Sequence, residues 1–230
     1  MLDAVLLEWE GVLADTGIVR RDEVLRALAD EGVHWTAEAY DASCGELDTH
    51  AMAVTALASV GRIDATLAEL VALRVSRAYA ERLSRGFSLQ PGAVQFVSTL
   101  APHVRLAIVT RARRAETEVA LAVSGLVGFL ATVVTADDVV EGPPAPFVYT
   151  KALASLSRIR PVTPGASVAI IGSTAAVRGA RAAGVRTITV GASMHLSRDA
   201  DHAEGSANSL IGLTHDGIVG LLREFPAARA

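Results

Sequence analysis

The apolar residues of this chain fall into five short runs that alternate with amphipathic stretches. Short runs of apolar or β-branched residues are typical of parallel strands buried on both faces of a sheet. The runs are Ala4–Trp9, Val104–Thr110, Thr132–Thr135, Val168–Gly172 and Arg186–Val190, and the helical stretches between them include Ala115–Val127, Val148–Ser157 and Thr174–Ala183. This alternation predicts an α/β fold with a doubly wound parallel sheet, whose ligands lie beyond the carboxyl ends of the strands.

Residues 17–88 interrupt the alternation because they contain helical patterns only. The predicted helices are Val19–Asp30, Thr36–Glu46, Thr49–Val60 and Ile63–Leu83. The spacing in the last helix predicts a buried stripe made of Ile63, Leu67, Leu70, Val71 and Leu83. Pro91 and Gly92 are typical of a turn, which here returns the chain to the main fold. We therefore predict a core domain (residues 1–16 and 89–230) and an inserted helical cap (residues 17–88) that lies over the site.

Composition restricts the partners and the compartment. The formal net charge is -4 and no dense basic run occurs, so nucleic acid is not an expected partner. Charged residues interrupt each apolar stretch before the roughly 18 residues that a membrane helix needs, so no membrane association is expected. The single Cys44 excludes an intrachain disulfide, and no secretory signal is evident. These features indicate a cytoplasmic protein.

Two carboxylates lie at the end of the first predicted strand, at alternate positions. They are Glu8 and Glu10, and Gly11 comes directly after them. Residues two apart on a strand point to the same face of the sheet. That face could simply meet solvent, or it could line the crevice at the carboxyl edge of the sheet. We expect the crevice, because ligands of this fold class lie at that edge.

The segment Leu6–Thr16 resembles the first motif of the haloacid dehalogenase (HAD) superfamily, D-x-D-G-x-L-x-D-[ST]. Its later motifs have counterparts in the same order, namely Leu89–Ala93, Val109-Thr110, Ala136–Val139 with Gly142–Tyr149, and Ile170–Thr174 with Arg178–Gly184. The resemblance covers nearly the whole chain. It is closest to the subfamily with a helical cap, which includes β-phosphoglucomutase, phosphoglycolate phosphatase and CbbY-like proteins. It implies a Rossmann-like core, a helical cap and a phosphatase-like hydrolase.

Four positions to which the resemblance assigns reactive groups carry other residues here. Glu8 stands in place of the aspartate nucleophile and Glu10 in place of the general acid/base, and a misplacement of ~1 Å can cost ~10²-fold in rate. Pro143 replaces the lysine that neutralises the transferring phosphoryl group. Ser173 replaces an aspartate that helps to hold Mg²⁺, for which a neutral hydroxyl is a poor substitute. We predict that the vestigial catalytic positions, none of them fully functional, are Glu8, Glu10, Thr110, Pro143 and Ser173.

The predicted ligand contacts are Glu8, Glu10, Thr110, Arg111, Ser173 and Thr174. The hydroxyl groups of this set could bind an anion at helix N-termini or could merely cap the helices that follow them. Arg111 could present a cation at the crevice, or it could be a solvated charge. The only lysine, Lys151, lies about two helical turns beyond Pro143 and is not expected to replace the missing lysine.

No metal is expected, and if one binds, its ligands are Glu8 and Glu10. The spacing of His195, Asp199 and His202 has the residue types of a metal site, but these residues fall in the polar, loop-like segment Ser193–Asn208 without a helix-face zinc pattern. No metal is expected there either.

The sequence leaves two functions open. The first is a catalytically impaired or inactive pseudo-phosphatase that serves as a binding module for an unknown small molecule or protein, without a cofactor. Two glutamates without a lysine should repel phosphate and could prefer an amine or another cationic group. The alternative is a divergent phosphatase or phosphotransferase that uses Mg²⁺ and acts on a small phosphorylated metabolite.

Overall fold

The computed structural model describes residues 2–44, 47–139, 146–191 and 203–224. The strands in these ranges are β1 (Ala4–Glu8), β2 (Ala14–Asp15), β3 (Ser88–Leu89), β4 (Arg105–Val109), β5 (Thr132–Val134), β6 (Ser167–Ile171), β7 (Arg186–Val190) and β8 (Gly205–Ala207). The α-helices are α1 (Gly17–Asp30), α2 (Ala37–Cys44), α3 (Thr49–Ser59), α4 (Ala65–Ser84), α5 (Ala93–Leu100), α6 (Arg114–Ser124), α7 (Phe147–Ser157), α8 (Thr174–Ala182) and α9 (His215–Glu224). None of the helices in these ranges combines the length and the apolar character that a membrane span requires.

Six strands form one parallel sheet in the order β5-β4-β1-β6-β7-β8. β1 lies between β4 and β6, and its last residue, Glu8, pairs with Val109 of β4. This arrangement confirms the predicted α/β fold, and the five predicted strands are present to within one residue at each end. Because parallel strands all point the same way, the ends of β1, β4 and β6 meet at one edge of the sheet.

Both faces of the central strand are buried. Val5 and Leu7 pack into one hydrophobic cluster together with Phe96 of α5. Leu6 packs into a second cluster on the opposite face, together with Leu153 of α7. Since neither face meets water, the strand needs apolar residues at successive positions, which explains why it reads as a continuous run rather than an alternating one.

Helices α1–α4 form an all-helical unit, which we call the cap. The cap has a hydrophobic cluster of its own that includes Val24, Leu28, Met52 and Val71. Its longest helix, α4, also packs against α6 beside the sheet. The four helices fall within the predicted insert of residues 17–88, while the domain boundaries themselves stay a prediction.

The predicted apolar stripe of α4 is wrong at two positions. The side chain of Asp64 accepts a hydrogen bond from a backbone N–H of the first turn, so Ile63 precedes the helix and is 93% exposed. Leu70 is exposed as well, whereas Ala68 and Ala72 are buried. The packed face of α4 therefore includes small residues, and a pattern built on large apolar side chains misses them.

The sequence patterns did not predict α5, α9 or β8. β8 lies inside the stretch of residues 193–208 that we expected to be a loop, and it pairs with β7 at the edge of the sheet. Its three residues are Gly205, Ser206 and Ala207, which have little β propensity. Pairing with an existing strand therefore produces β8, and no local pattern signals it.

A short two-stranded sheet marks the junction between the cap and the sheet. β2, where the chain leaves for the cap, pairs antiparallel with β3, where the chain returns. The predicted turn follows at Gly92, whose φ is +84°. A Cβ atom there would lie 3.0 Å from Ile211, so both the backbone conformation and the close approach require glycine.

Candidate functional site

The predicted polar positions meet at the carboxyl edge of the sheet. Glu8 ends β1, Thr110 follows β4, and Ser173 lies two residues beyond β6. The loops after β1 and β6 are in close contact, because a Cβ atom added to Gly172 would lie 3.3 Å from a side-chain carbon of Val12. Glu8 therefore lies at the carboxyl edge of the sheet, while its role as a ligand contact stays a prediction.

Glu8 is buried and accepts a hydrogen bond on each carboxylate oxygen. The backbone N–H of Gly172 lies 2.8 Å from Oε2, and the Ser173 hydroxyl lies 2.9 Å from Oε1. Burial raises the pKa of Glu8, and the nearby charge of Glu10 adds to this effect. The charge of Arg111 and the two hydrogen bonds oppose the shift without reversing it. Glu8 is thus a carboxyl group that its surroundings hold in place and discourage from ionising.

Glu10 is bound to the cap by an ion pair. Arg20 Nη1, on α1, lies 3.0 Å from Oε2 of Glu10 and 3.2 Å from Oε1. The Tyr79 hydroxyl, on α4, donates to Oε1 at 3.0 Å. Burial works against ionisation, but the charges of Arg20 and Arg111 and these hydrogen bonds outweigh it and lower the pKa of Glu10. Glu10 therefore carries its negative charge at neutral pH.

Arg20 is the centre of a buried polar cluster between the cap and the sheet. Its side chain is 7% exposed, and its Nη2 donates to the Thr49 hydroxyl at 2.7 Å. The pKa of Arg20 is raised, because the attraction of Glu10 and Glu116 outweighs the cost of burial. Residues from α1, α3 and α6 thus contribute to one cluster.

The hydroxyl residues of the predicted set are already engaged in the local structure. The side chain of Ser173 caps α8 by accepting from the N–H of Ala176 at 3.4 Å, while its hydroxyl donates to Glu8. The Thr110 hydroxyl accepts from the N–H of Ala112 at 3.0 Å. Thr174 is buried in the first turn of α8. Of the two predicted alternatives, helix capping is therefore observed for Ser173. Anion binding by these three residues stays a prediction.

A cavity of about 440 Å³ lies between the cap and the carboxyl edge of the sheet. The sheet side contributes Glu8, Thr110 and Arg111 of the predicted set, and the cap side contributes His50 and Glu69. Much of the remaining wall is apolar or aromatic and includes Val109, Phe147, Val148, Tyr149, Ala175 and Ala176. The other predicted contacts, Glu10, Ser173 and Thr174, lie outside the lining.

The acidic groups on the wall of the cavity all have hydrogen-bond donors. These acids are Glu8, Asp48, Glu69 and Asp137, of which Asp48 and Asp137 accept from backbone N–H groups. Nη1 and Nη2 of Arg113 each donate a hydrogen bond to Glu69 at 2.9 Å, and His50 Nδ1 lies 2.9 Å from Oε2 of Glu69. In contrast, Nη1 of Arg111 is buried and has no hydrogen-bond partner.

The remaining predicted residues are not among the described residues that line the cavity. Pro143 lies outside the described residues, as do the three residues of the rejected metal spacing, His195, Asp199 and His202. Lys151 is exposed on α7 and is not among the residues that line the cavity. That no other lysine replaces the missing one stays a prediction.

The sequence matches the family model described as "haloacid dehalogenase-like hydrolase" over residues 10–190. The chain belongs to the haloacid dehalogenase-like hydrolase family. It is 32% identical over 197 residues to Protein CbbY of Rhodobacter capsulatus, covering 81% of this chain and 84% of that protein.

Solved structures support the HAD fold. The crystal structure of CbbY from Rhodobacter sphaeroides in complex with phosphate has a TM-score of 0.80 at 22% identity and covers 95% of this chain and 100% of its own. The crystal structure of β-phosphoglucomutase from Clostridium difficile has a TM-score of 0.83 at 14% identity. The match covers 98% of this chain and 99% of that chain. The resemblance inferred from the sequence is thereby confirmed.

Mg²⁺ is the cofactor that the HAD family implies, but the described side chains do not fit it. Both carboxylate oxygens of Glu8 already accept hydrogen bonds, and those of Glu10 are engaged by Arg20 and Tyr79. The third position carries the neutral hydroxyl of Ser173. Mg²⁺ requires near-octahedral oxygen coordination, and within the described ranges no three acidic, histidine or cysteine side chains are grouped to hold a metal.

The sequence did not identify Arg20, Tyr79 or Glu69 as site residues. Each lies on a cap helix, and Tyr79 is 69 residues from the carboxylate that it contacts. Only the docking of the cap brings these residues to the edge of the sheet. Once the burial of Arg20 on α1 is known, this residue can be recognised as a member of a polar cluster. The reason is that an arginine is almost never fully buried unless it is paired.

Proposed function

We propose that this chain is a HAD-fold protein that binds a small organic molecule between cap and sheet and does not transfer phosphoryl groups. The observation that carries the proposal is the ion pair between Glu10 and Arg20. A general acid must hold a proton near the operating pH. The lowered pKa of Glu10 leaves it without that proton, and its oxygens are already engaged by Arg20 and Tyr79.

The environment of Glu8 supports the same proposal. A carboxylate that attacks phosphorus must be ionised and must have an oxygen free to approach the substrate. Both oxygens of Glu8 accept hydrogen bonds, and burial raises its pKa. The extra methylene of glutamate also displaces the carboxylate relative to an aspartate, and ~1 Å of displacement can cost ~10²-fold in rate.

A Mg²⁺-dependent phosphatase acting on a small phosphorylated metabolite is the second candidate. Its support is the 32% identity to Protein CbbY over 81% of this chain. The CbbY crystal structure that contains phosphate gives this candidate a ligand of the appropriate class. Against it stands the poor fit of Mg²⁺ to the side chains at the end of β1.

One experiment separates the two candidates. Release of phosphate is measured from a panel of phosphorylated metabolites with Mg²⁺, for the natural chain, for Glu8→Ala and for the double variant Glu8→Asp/Glu10→Asp. The binding proposal predicts equal, negligible rates in the first two proteins. It also predicts no recovery in the third, because the lysine and the metal-binding aspartate are still missing. Turnover that disappears in Glu8→Ala establishes the phosphatase instead.

A further inference from the structure

The contact between α4 of the cap and α6 beside the sheet buries a carboxyl group. Glu116, in the first turn of α6, is only 1% exposed. Its Oε2 accepts from the backbone N–H of Arg113 at 3.1 Å, and its Oε1 is buried without a hydrogen-bond partner. Ser76 of α4 faces this carboxyl group and is buried as well. An unsatisfied buried oxygen is costly, so Glu116 needs an explanation beyond the capping of α6.

The charges around Glu116 do not form an ion pair with it. Arg20 of α1 attracts a negative charge at this position, but its Nη1 contacts both carboxylate oxygens of Glu10 instead. Glu10, in the loop after β1, repels such a charge. Arg113, on the same helix, donates with both Nη atoms to Glu69 of α4. Among the described residues, therefore, no cation is paired with Glu116.

The neutral form of Glu116 is favoured while the cap is docked. Burial raises the pKa of Glu116, and the charge of Arg20 opposes this shift without reversing it. A protonated carboxyl group is also a donor, and the Ser76 hydroxyl can accept from it. Tyr79, which is one turn further along α4, donates to Glu10 and adds no charge to the contact. Ionisation of Glu116 therefore requires water, which reaches it only when α4 separates from α6.

We propose that Glu116 is a proton-dependent latch between the cap and the sheet. The cap stays docked while this carboxyl group is protonated, and it opens more often once the group is ionised. Opening releases the proton of Glu116 to solvent, and closing takes one back. Because the cavity lies between the same cap and the sheet, the latch links access to the cavity with pH. This inference goes beyond the proposed function and does not depend on the identity of the ligand.

Amide hydrogen exchange of the full chain at pH 5, 6, 7 and 8 tests the latch, with each rate corrected for the intrinsic effect of pH. The reporters are the amides of residues 71–76 in α4. The amides of β1 are the reference, because a central buried strand opens only with the whole fold.

The docked protein raises the pKa of Glu116 above its ordinary value of 4.5. The contribution of the protonated group to docking is therefore complete below pH 4.5 and is lost as the pH rises through the raised pKa. The protection of α4 relative to β1 should fall by about fivefold or more from pH 5 to pH 8, because such a group can change an opening equilibrium by up to about tenfold per pH unit.

Glu116→Gln is the deciding variant. Its amide oxygen can still accept from Arg113, but the side chain has no proton to release, so most of the fall in protection should disappear. Glu118→Gln is the matched control, because it removes a carboxylate from the same helix that is 66% exposed and is paired with Arg114. This control should keep the full fall. If Glu116→Gln does not fold, Glu116→Met replaces it, since methionine has a similar length and cannot ionise either.

The latch is ruled out if the relative protection of α4 stays constant from pH 5 to pH 8. It is also ruled out if the variant that cannot ionise at position 116 keeps the fall of the natural chain, or if Glu118→Gln removes that fall. An equal fall in α4 and β1 would link the proton to the whole fold and would likewise contradict the proposal. None of these results depends on phosphate release, so the latch and the proposed function are tested separately.

Discussion

Arg20 of the cap and Glu10 at the edge of the sheet form an ion pair with Nη1 and Oε2 3.0 Å apart. The side chains are only 7% and 17% exposed. Glu10 stands at the position to which the HAD resemblance assigns the general acid/base, so one contact both neutralises that position and holds the cap to the sheet. The protonation state of Glu10 and the docking of the cap therefore depend on the same two residues.

Removing one member of this pair should destabilise the protein markedly. Arg20→Met leaves the Glu10 carboxylate partly buried without its main counter-charge, which costs about 3 kcal/mol. For a chain of this size that corresponds to a fall in Tm of about 6–12 °C. Thermal unfolding followed by circular dichroism measures the change.

The double variant Arg20→Met/Glu10→Gln is the control for that prediction. It removes the isolated charge and keeps an oxygen that can accept from Tyr79, so it should recover at least about half of the loss. If the double variant is as unstable as the single one, lost packing of the arginine stem explains the effect and the ion pair does not.

The second ion pair between cap and sheet, Arg113 with Glu69, should matter much less. Glu69 is 42% exposed, and exposed pairs contribute about 0–1 kcal/mol. We expect Arg113→Met to lower the free energy of unfolding by less than about 1 kcal/mol, with a difference that shrinks in 0.5 M NaCl because salt screens the pair. Urea denaturation at both salt concentrations tests this. A larger loss that is insensitive to salt would contradict it.

Glu8→Gln should change how stability depends on pH. The folded protein raises the pKa of Glu8 above its ordinary value of 4.5. The favourable contribution of the protonated group is therefore complete below pH 4.5 and is lost as the pH rises through the raised pKa. The glutamine side chain of the variant cannot ionise, and its amide oxygen can still accept from Gly172. The variant should gain stability relative to the natural chain as the pH rises.

The measurement for Glu8→Gln is the difference in Tm between the two proteins at pH 5, pH 6.5 and pH 8. Glu116, whose pKa burial also raises, and Glu10, whose pKa is lowered, are present in both proteins. Their contributions largely cancel in the difference. A difference that stays constant with pH would show that Glu8 ionises normally in the folded chain.

Ser173→Ala should cost more than the loss of an ordinary helix cap. The substitution removes the cap of α8, worth about 1 kcal/mol, and one of the two donors to Glu8, worth about 1 kcal/mol more. We expect a total loss of about 2 kcal/mol in urea denaturation, with a further rise in the pKa of Glu8. Ser173→Thr keeps the hydroxyl and should lose much less. Equal losses in the two variants would place the effect in packing.

Much of the fold could be predicted because its signals are local. The five predicted strands lie within one residue of their observed ends, since strands buried on both faces favour apolar or β-branched residues at successive positions. The prediction failed for β8, whose residues Gly205, Ser206 and Ala207 carry no apolar pattern, and for Ile63, which the cap at Asp64 excludes from α4. In both cases the structure is determined by a contact that the apolar pattern does not reveal. For β8 it is the pairing with β7, and for Ile63 it is the side-chain cap at Asp64.

The sequence by itself determined the order of the five predicted strands, the family and the edge of the sheet at which Glu8 and Thr110 lie, because residues at strand ends keep that position whatever packs above them. Only the tertiary structure decided which charges are paired. Arg20, Tyr79 and Glu69 reach the site from helices of the cap, and their partners lie 10 to 69 residues away along the chain. Electrostatic energy depends on distance in space and on burial, and neither quantity can be read from positions along the chain.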